Sequence, residues 1–192
     1  MPDMCAVSNG VNTIRPFEAD VVYDGITGAA SRMRFLGRWQ DIRKGPNRLI
    51  VDIGHNAHGL KYNFSQLCRL FVKNPSRKAV IVLGFVADKD VDAALEEIPC
   101  LDGRLIDFIF TNAASRRALP AHELERHFLR RYSGRVSSGL YSVRVVPHVA
   151  DAVMAALEGC GPEGGIIYIG GSTFVVAEAL PVLGAKDTLS GG

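Results

Sequence analysis

Short apolar runs alternate with stretches of helical periodicity along the chain after residue 36, and this alternation constrains the fold more than any other feature. The runs have the length and the branched residues typical of buried strands, and they span residues 49–52, 79–85, 108–111, 143–147 and 166–169. Strands that alternate with helices form parallel sheets with right-handed crossovers. The sequence therefore predicts a Rossmann-like three-layer α/β sandwich with a mostly parallel sheet.

The stretches between these runs place apolar residues three or four positions apart, as on the buried face of a helix. The predicted inward residues are Leu60, Phe64, Leu67 and Phe71 in the first helix, Val91, Leu95 and Ile98 in the second, Leu124 and Phe128 in the third, Val149, Val153 and Leu157 in the fourth, and Phe174, Val175, Ala177 and Leu180, before Pro181, in the last.

The alternation also divides the chain. Residues 37–184 carry it and predict one α/β domain, whereas residues 1–36 do not share it. Within that first segment, residues 15–25 could form a helix and residues 27–31 a hinge, which indicates a linker or the end of a preceding domain. Residues 185–192 are predicted to form a flexible tail.

Composition excludes several classes of function. The chain has 192 residues, 47% of them hydrophobic, and a formal net charge of +2, which is typical of a globular domain and argues against a nucleic-acid surface. A group of arginines on the third helix, Arg126, Arg130 and Arg131, is interpreted as a solvated face. Neither a membrane span nor a signal peptide is predicted. The four cysteines form no CxxC pair, which favours a reducing, cytoplasmic compartment over a zinc ribbon.

Polar residues lie beside the predicted strands, and those that follow a strand reach the edge where open α/β sheets bind ligands. Arg38 precedes the first strand and Asp52 ends it. An arginine can bind phosphate oxygens in a fork, and a carboxylate can accept from ribose hydroxyls or an adenine amine. An exposed arginine and a helix-capping aspartate are the alternative, which the spacing alone leaves open.

His55 and Asn56 follow in the same loop. Asp52, His55 and His58 form a D-x-x-H-x-x-H string, but no third strong ligand is identifiable nearby, so a metal site is not predicted. His58 is expected at the surface.

Two further loops suit a carboxylate. Lys89 follows the second strand and offers a compact charge, while Asp90 beside it suits a helix N-cap. Ser172 follows the last strand, where backbone N–H groups at a helix start can bind an anion, although a plain capped turn fits equally well. Arg116 and Arg117 follow the third strand, and a substrate contact and a solvated loop are equally consistent with them.

Four stretches, taken in order, resemble the C-terminal domain of folylpolyglutamate synthase and dihydrofolate synthase, members of the Mur ligase superfamily. They are GRWQ (37–40) with VDIGHNAHG (51–59), GFVADKDV (84–91), SRRALPAHEL (115–124) and IIYIGGSTFVVAEAL (166–180). In the family a Gly-Arg pair precedes a strand that ends in Asp-Gly-Ala-His-Asn-Pro. This chain has Asp-Ile-Gly-His-Asn-Ala, so aspartate, histidine and asparagine stay in register.

The resemblance implies roles for these residues. Arg38 would bind an ATP phosphate, and Asp52 the ribose or adenine side. His55 and Asn56 would lie at the junction of nucleotide and incoming glutamate, and Lys89 and Ser172 would bind L-glutamate. The family's phosphate loop, written GxxxxGK[ST], is absent from this sequence. In the family the loop, the magnesium ligands and the folate pocket belong to the N-terminal part, including the preceding ATPase domain.

The implied function is that of an ATP-dependent ligase, with magnesium, that adds L-glutamate to folate or dihydropteroate through an acyl phosphate. No residue named here is expected to be a catalytic acid or base. The C-terminal domain of a peptidoglycan Mur ligase and a stand-alone nucleotide-binding module are the alternatives. An NAD oxidoreductase is disfavoured because no GxGxxG follows the first strand.

Overall fold

The computed structural model describes residues 37–98 and 104–184, so the predictions for residues 1–36 and 185–192 lie outside the described residues. The strands are β1 (Gln40–Lys44), β2 (Asn47–Asp52), β3 (Lys78–Leu83), β4 (Ile106–Asn112), β5 (Tyr141–His148) and β6 (Gly165–Gly170). The helices are α1 (Ala57–Val72), α2 (Val91–Glu96), α3 (Ala121–Ser137), α4 (Val149–Gly159) and α5 (Thr173–Val182).

The strands form one six-stranded sheet in the order β1-β2-β6-β3-β4-β5. Strand β1 is antiparallel to β2, and the other neighbouring pairs are parallel. This confirms the predicted α/β fold with a mostly parallel sheet.

Helices cover both faces of the sheet because successive residues of each central strand point to opposite sides. In β3, Ile81 and Leu83 join a cluster with α1, α2 and α3, whereas Val80 and Val82 join a second cluster with α4 and α5. Most of the predicted helix residues are buried in these clusters, and each fully buried aliphatic side chain contributes about 1.5–3 kcal/mol.

Strand β1 is the main element that the apolar pattern missed. Its residues alternate between half-buried and exposed, because it is an edge strand that packs on one face only. A two-residue loop joins it to β2, and Gly45 at the first loop position has a φ of +58°, a value that glycine adopts without strain. The hairpin returns the chain so that Gln40 pairs with Val51, which places Arg38 beside the end of β2.

The predicted inward face of α5 was partly wrong. Phe174 is 41% exposed and Ala177 is exposed, whereas Val176 and Ala179 are buried. The helix is apolar on most sides, so periodicity could not show which side faces α4 and the sheet. Pro181 was expected beyond the helix but lies inside its last turn.

The exposed arginines of α3 and the N-cap of α2 agree with the predictions made from the sequence. Arg126, Arg130 and Arg131 are exposed on α3 and pair with acidic residues of α2 and α3. The side chain of Asp90 accepts from the N–H of Ala93 and caps α2. Within the described ranges, no helix is both long and apolar enough to cross a membrane.

Candidate functional site

The candidate site lies at the carboxyl edge of the sheet, where β2, β6 and β3 end level with one another. Gly170 of β6 pairs with Asp52 of β2 on one side and with Leu83 of β3 on the other. The helices that follow β2 and β3 pack on one face of the sheet, and α5, which follows β6, packs on the other. Because the chain leaves these strands toward opposite faces, a crevice opens between them.

Two adjoining cavities lie at this edge. The hairpin pocket, of about 400 Å³, is lined by Arg38, Trp39, Asp52, Ile53, Gly54, His55, Asn56, Gly59, Tyr62 and Asn63. The lysine pocket, of about 260 Å³, is lined by His55, Val86, Lys89, Arg117, Ser172, Thr173 and Phe174. His55 lines both cavities.

Asp52 organises the hairpin pocket through hydrogen bonds within the protein. It is 7% exposed. Its Oδ2 accepts from the N–H of Trp39 at 2.7 Å, and its Oδ1 accepts from the N–H of Gly54 at 2.6 Å and from the side-chain amide of Asn63. A carboxylate has about four acceptor positions. Protein donors therefore take most of them, and any ligand hydroxyl would share Oδ2 with Trp39.

Asn63 connects this carboxylate to the core. It is 5% exposed on α1, and its amide also contacts the hydroxyl of Tyr168 at 3.3 Å. Burial, and secondarily the charge of Asp52, raises the pKa of Tyr168. The phenol therefore stays protonated and can share in the hydrogen bonds of this network.

Trp39 has an unusual backbone conformation. Its φ is +43°, which costs a bulky residue on the order of 1–3 kcal/mol. The bond to Asp52 holds this conformation, and the N–H of Ile53 ties the loop further by donating to the carbonyl of Gly37 at 2.6 Å. Arg38, which is exposed, is thus held between two anchored residues at the mouth of the pocket.

The loop after β2 presents His55 and starts α1. The Nδ1 of His55 lies 3.1 Å from the carbonyl of Ile53. Because a carbonyl can only accept, Nδ1 carries a proton, and in the neutral ring Nε2 is left as an acceptor. The side chain of Asn56 accepts from the N–H of Gly59 at 2.8 Å and caps α1. His58 is exposed, as predicted.

The lysine pocket brings Lys89 and Ser172 together from different loops. Lys89 is half-buried after β3. Ser172 is 2% exposed, and its hydroxyl accepts from the N–H of Phe174 at 3.2 Å as the N-cap of α5. The positive end of the α5 dipole therefore lies at the same cavity as a lysine.

Arg117 adds a second positively charged side chain to this pocket, beside Lys89. It pairs with Asp88 at 2.5 Å, and this hydrogen bond holds the pKa of Asp88 below its usual range. The backbones of the two loops are also joined, because Ala87 donates to the carbonyl of Arg117 at 2.8 Å and Leu119 to that of Phe85 at 2.9 Å. The loops that carry Lys89 and Arg117 thus form one unit.

A close backbone crossing lies just before the loops that line the lysine pocket. The N–H of Gly84 donates to the carbonyl of Gly170 at 3.2 Å. A Cβ on Gly84 would lie 2.5 Å from the carbonyl oxygen of Thr111 and 2.9 Å from Val175. Only glycine fits here without a shift of β4 or α5.

The structure therefore assembles the residues singled out from the sequence into two groups. Arg38, Asp52 and Asn56 line the hairpin pocket, Lys89 and Ser172 line the lysine pocket, and His55 lines both. Sequence reasoning missed Trp39, Tyr62, Asn63 and Phe174 as lining residues. In the described part of the chain, no group of three or more His, Cys, Asp or Glu residues could hold a metal ion.

Solved structures similar to this chain include the following three. E. coli FolC in complex with DHPP and ADP is 24% identical, with a TM-score of 0.61, over 88% of this chain and 35% of its own length. A bifunctional folylpolyglutamate synthase/dihydrofolate synthase with Mn, AMPPNP and L-glutamate bound is 23% identical, with a TM-score of 0.59, over 77% and 31%. Mycobacterium tuberculosis folylpolyglutamate synthase complexed with ADP is 28% identical, with a TM-score of 0.57, over 79% and 32%.

The chain thus spans about a third of the length of the solved proteins that it matches. A comparison with curated proteins finds no significant match. The family model described as "Mur ligase, glutamate ligase domain" matches residues 37–173, which contain both pockets except for Phe174. The chain belongs to this family of Mur ligase glutamate ligase domains.

Proposed function

We propose that this chain is the C-terminal domain of an ATP-dependent amide ligase that adds L-glutamate to folate or dihydropteroate. The observation that carries the proposal is the pair of adjoining pockets, of which one presents an arginine and the other two cations and a helix N-terminus. Ligation through an acyl phosphate needs a nucleotide and an amino acid side by side. The related structures hold ADP or AMPPNP, DHPP and L-glutamate, which supports these ligand classes.

In the hairpin pocket, Arg38 would bind an ATP phosphate through its planar donors. Asp52 would face the ribose or adenine side through the remaining acceptor position of Oδ2. Its larger contribution would be indirect, because it holds the backbone of Trp39 and so places Arg38.

In the lysine pocket, Lys89, Arg117 and the first turn of α5 would bind the two carboxylates of L-glutamate. Lys89 offers an ammonium group to one carboxylate, the Arg117 guanidinium, which also pairs with Asp88, offers its remaining donors to the other, and the N–H groups after Ser172 supply further donors. Because the Ser172 hydroxyl is itself a helix cap, it would act mainly by holding that turn open to the substrate.

His55 and Asn56 would form the wall between nucleotide and amino acid. The Nε2 of His55 can accept a hydrogen bond from the ammonium group of glutamate, since Nδ1 is occupied by the Ile53 carbonyl. Asn56 would keep the start of α1, and with it this loop, in place.

The reaction would proceed in two transfers. The γ-phosphoryl group of ATP moves to the carboxylate of the acceptor, and ADP is released. The amine of glutamate then attacks the acyl carbon, an amide bond forms, and inorganic phosphate leaves. This domain would orient the amine beside the acyl phosphate, an effect that can lower a barrier by about 7–11 kcal/mol.

Magnesium would accompany the ATP phosphates, but the described residues contain no cluster that could hold it. We therefore expect its protein ligands, like the folate pocket, in a preceding ATPase domain. We place the enzyme in the cytoplasm, in keeping with the unpaired thiols of Cys68 and Cys160.

The test is glutamate-dependent phosphate release by the full-length protein that contains this domain. Dihydropteroate and tetrahydrofolate are offered as acceptors, with a UDP-linked peptidoglycan precursor as the competing acceptor. Release with a pterin acceptor supports the proposal. Release with the peptidoglycan precursor alone would assign the domain to the alternative Mur ligase class, and nucleotide binding without any release would assign it to a binding module.

A further inference from the structure

A buried polar network lies beside the hairpin pocket, in a core that is mainly apolar. It joins the carboxylate of Asp52 on β2, the amide of Asn63 on α1 and the hydroxyl of Tyr168 on β6. We propose that Asn63 and Tyr168 are positioning residues that hold Asp52 and, through it, set the backbone of Arg38 and Trp39. The inference rests on the proposed function in that it takes this segment to bind a nucleotide.

Tyr168 lies where packing alone does not require a hydroxyl. The residue is fully buried in the cluster under α1, and its ring centroid lies 5.6 Å from that of Phe64. A phenylalanine would fill the same space without a polar atom. Burying a hydroxyl costs free energy unless it is hydrogen-bonded, so the polar atom of Tyr168 needs a reason other than core packing.

The hydrogen bonds of the network fix which way the Asn63 amide faces. A carboxylate oxygen accepts, so Asn63 turns its NH2 group, not its oxygen, toward Asp52. The same NH2 group lies 3.3 Å from the Tyr168 hydroxyl, which can accept its second N–H. Tyr168 therefore satisfies the buried donor that Asp52 leaves over, and it favours the orientation of the amide in which Asp52 is bonded.

Two glycines leave the space that the network occupies. A Cβ on Gly170 would lie 2.6 Å from the Tyr168 hydroxyl and 2.8 Å from the carbonyl oxygen of Asp52. A Cβ on Gly54 would lie 2.7 Å from the amide nitrogen of Asn63 and 2.7 Å from Oδ1 of Asp52. Neither glycine has a positive φ, so the close approach of the polar groups, and not the backbone conformation, requires them.

Asp52 transmits the position of the network to the segment before β1. Its Oδ1 is held by Asn63 and by the N–H of Gly54, and its Oδ2 holds the N–H of Trp39. If the Asn63 amide withdraws, the carboxylate is freer to rotate and its bond to Trp39 weakens. The left-handed backbone of Trp39 depends on that bond, so Arg38 would lose its fixed place.

The sole tryptophan of the chain gives a direct readout that needs no ligand. Labelling with [15N]tryptophan leaves one backbone amide in the NMR spectrum, and its hydrogen exchange reports opening of the bond between Trp39 and Asp52. We expect exchange to be about threefold faster in Tyr168→Phe and about tenfold faster in Asn63→Ala. The double variant should exchange no faster than Asn63→Ala, because both changes act through one amide.

Ile166→Val is the matched control for a loss of stability. Ile166 lies two residues before Tyr168 on β6, belongs to the same core cluster and is 1% exposed. Urea denaturation measures the stability of every variant. Removing one methylene should destabilise the fold without speeding exchange at Trp39.

Calorimetric titration with ATP connects the network to ligand binding. The affinity of the 192-residue chain should fall about threefold in Tyr168→Phe and about tenfold in Asn63→Ala, and it should stay unchanged in Ile166→Val. Tyr168→Phe keeps the ring, so it decides the question if Asn63→Ala does not fold.

The outcomes separate this inference from the proposed function. Exchange of the Trp39 amide at the parent rate in Tyr168→Phe would overturn the inference, and so would an equal loss of ATP affinity in Ile166→Val. Faster exchange with unchanged ATP affinity would show that the network does not position the ligand site. If exchange accelerates as expected but the parent chain does not bind ATP, the network does set the backbone of Trp39, and the nucleotide role of the pocket is wrong.

Discussion

Asn63 is a single buried amide on which the shape of the hairpin pocket depends. Replacing it by alanine leaves Asp52 with one donor fewer and the Tyr168 hydroxyl without its amide contact. We expect Asn63→Ala to lower the free energy of unfolding by about 1–3 kcal/mol, the usual cost of leaving buried polar groups unsatisfied. Urea denaturation followed by circular dichroism measures this loss.

Ser65→Ala is the matched control, because Ser65 is exposed on the same helix and its hydroxyl bonds only to the Lys61 carbonyl among the bonds observed. It should change stability by no more than about 0.5 kcal/mol. The emission maximum of Trp39 should move in Asn63→Ala and not in the control. Equal stability of the two variants would show that the Asp52 network does not support the pocket.

Lys89 carries the sharpest prediction for amino-acid binding. In the proposed full-length ligase, Lys89→Ala should raise the KM for glutamate by about 10- to 100-fold, because a charge-assisted contact is worth roughly 1.5–3 kcal/mol. Ser172→Ala should have a smaller effect, since its hydroxyl caps α5. Steady-state kinetics with varied glutamate at saturating ATP measures both.

Lys73→Ala removes the same charge at the far end of α1, where the residue is exposed. It should leave the KM for glutamate unchanged. An increase in the KM for ATP but not for glutamate in Lys89→Ala would mean that the two pockets have been assigned to the wrong ligands.

Asp52 and Lys89 could be located from the sequence because strand ends can be read from apolar runs, and parallel strands end at one edge. Arg38 precedes its strand, and only the family resemblance pointed to it; the antiparallel β1–β2 hairpin is what brings it to the same edge. It could not show that Asp52 is occupied by protein donors, because Asn63 meets it only through the packing of α1 on β2. The left-handed backbone conformation of Trp39 could not be predicted either, because a tryptophan does not favour a positive φ.

At the scale of elements, buried strands and helices could be predicted and an edge strand could not. Strand β1 has a single partner and a half-exposed face, so its residues lack an apolar run. Its readable signal was the Gly-Pro pair at 45–46, a common turn dipeptide. The prediction for helix α5 failed for the opposite reason. Apolar residues lie on most of its sides, so their pattern does not show which side faces the core.

Gly84 tests the junction of β3, β4 and α5. We expect Gly84→Ala to lower the free energy of unfolding by about 1–3 kcal/mol, because its Cβ would meet the carbonyl of Thr111 and the side chain of Val175. The displaced elements border the lysine pocket, so glutamate binding should weaken as well. Urea denaturation and calorimetric titration with L-glutamate measure the two effects.

Gly134→Ala is the opposite substitution in the same fold. Gly134 lies within α3, and a Cβ there would meet nothing within 4 Å. Alanine is the better helix former by about 0.5–1 kcal/mol, so this variant should be more stable than the parent. Equal stability of the two glycine variants would contradict the close crossing seen at Gly84.

Within the described residues, the α/β domain places two candidate pockets at one edge of its sheet. Its sheet and two cores place cations and helix starts, but the chain has no GxxxxGK[ST] loop to cradle the phosphates of ATP. A domain without such a loop can orient the γ-phosphoryl group of ATP, but other residues have to activate that group for transfer. We therefore expect this chain to bind ligands without catalysing the reaction.

We accordingly predict that the 192-residue chain binds ligands without turning them over. Phosphate release from ATP, with dihydropteroate and glutamate present, should stay at the level of the buffer blank, whereas ordinary enzymes reach about 1 per second or more. The proposed full-length ligase is the positive control, and its Arg38→Ala variant should lose kcat/KM for ATP. Turnover by the 192-residue chain at ordinary rates would require a phosphate-transfer site within it, and the assignment of that step to a preceding ATPase domain would then be wrong.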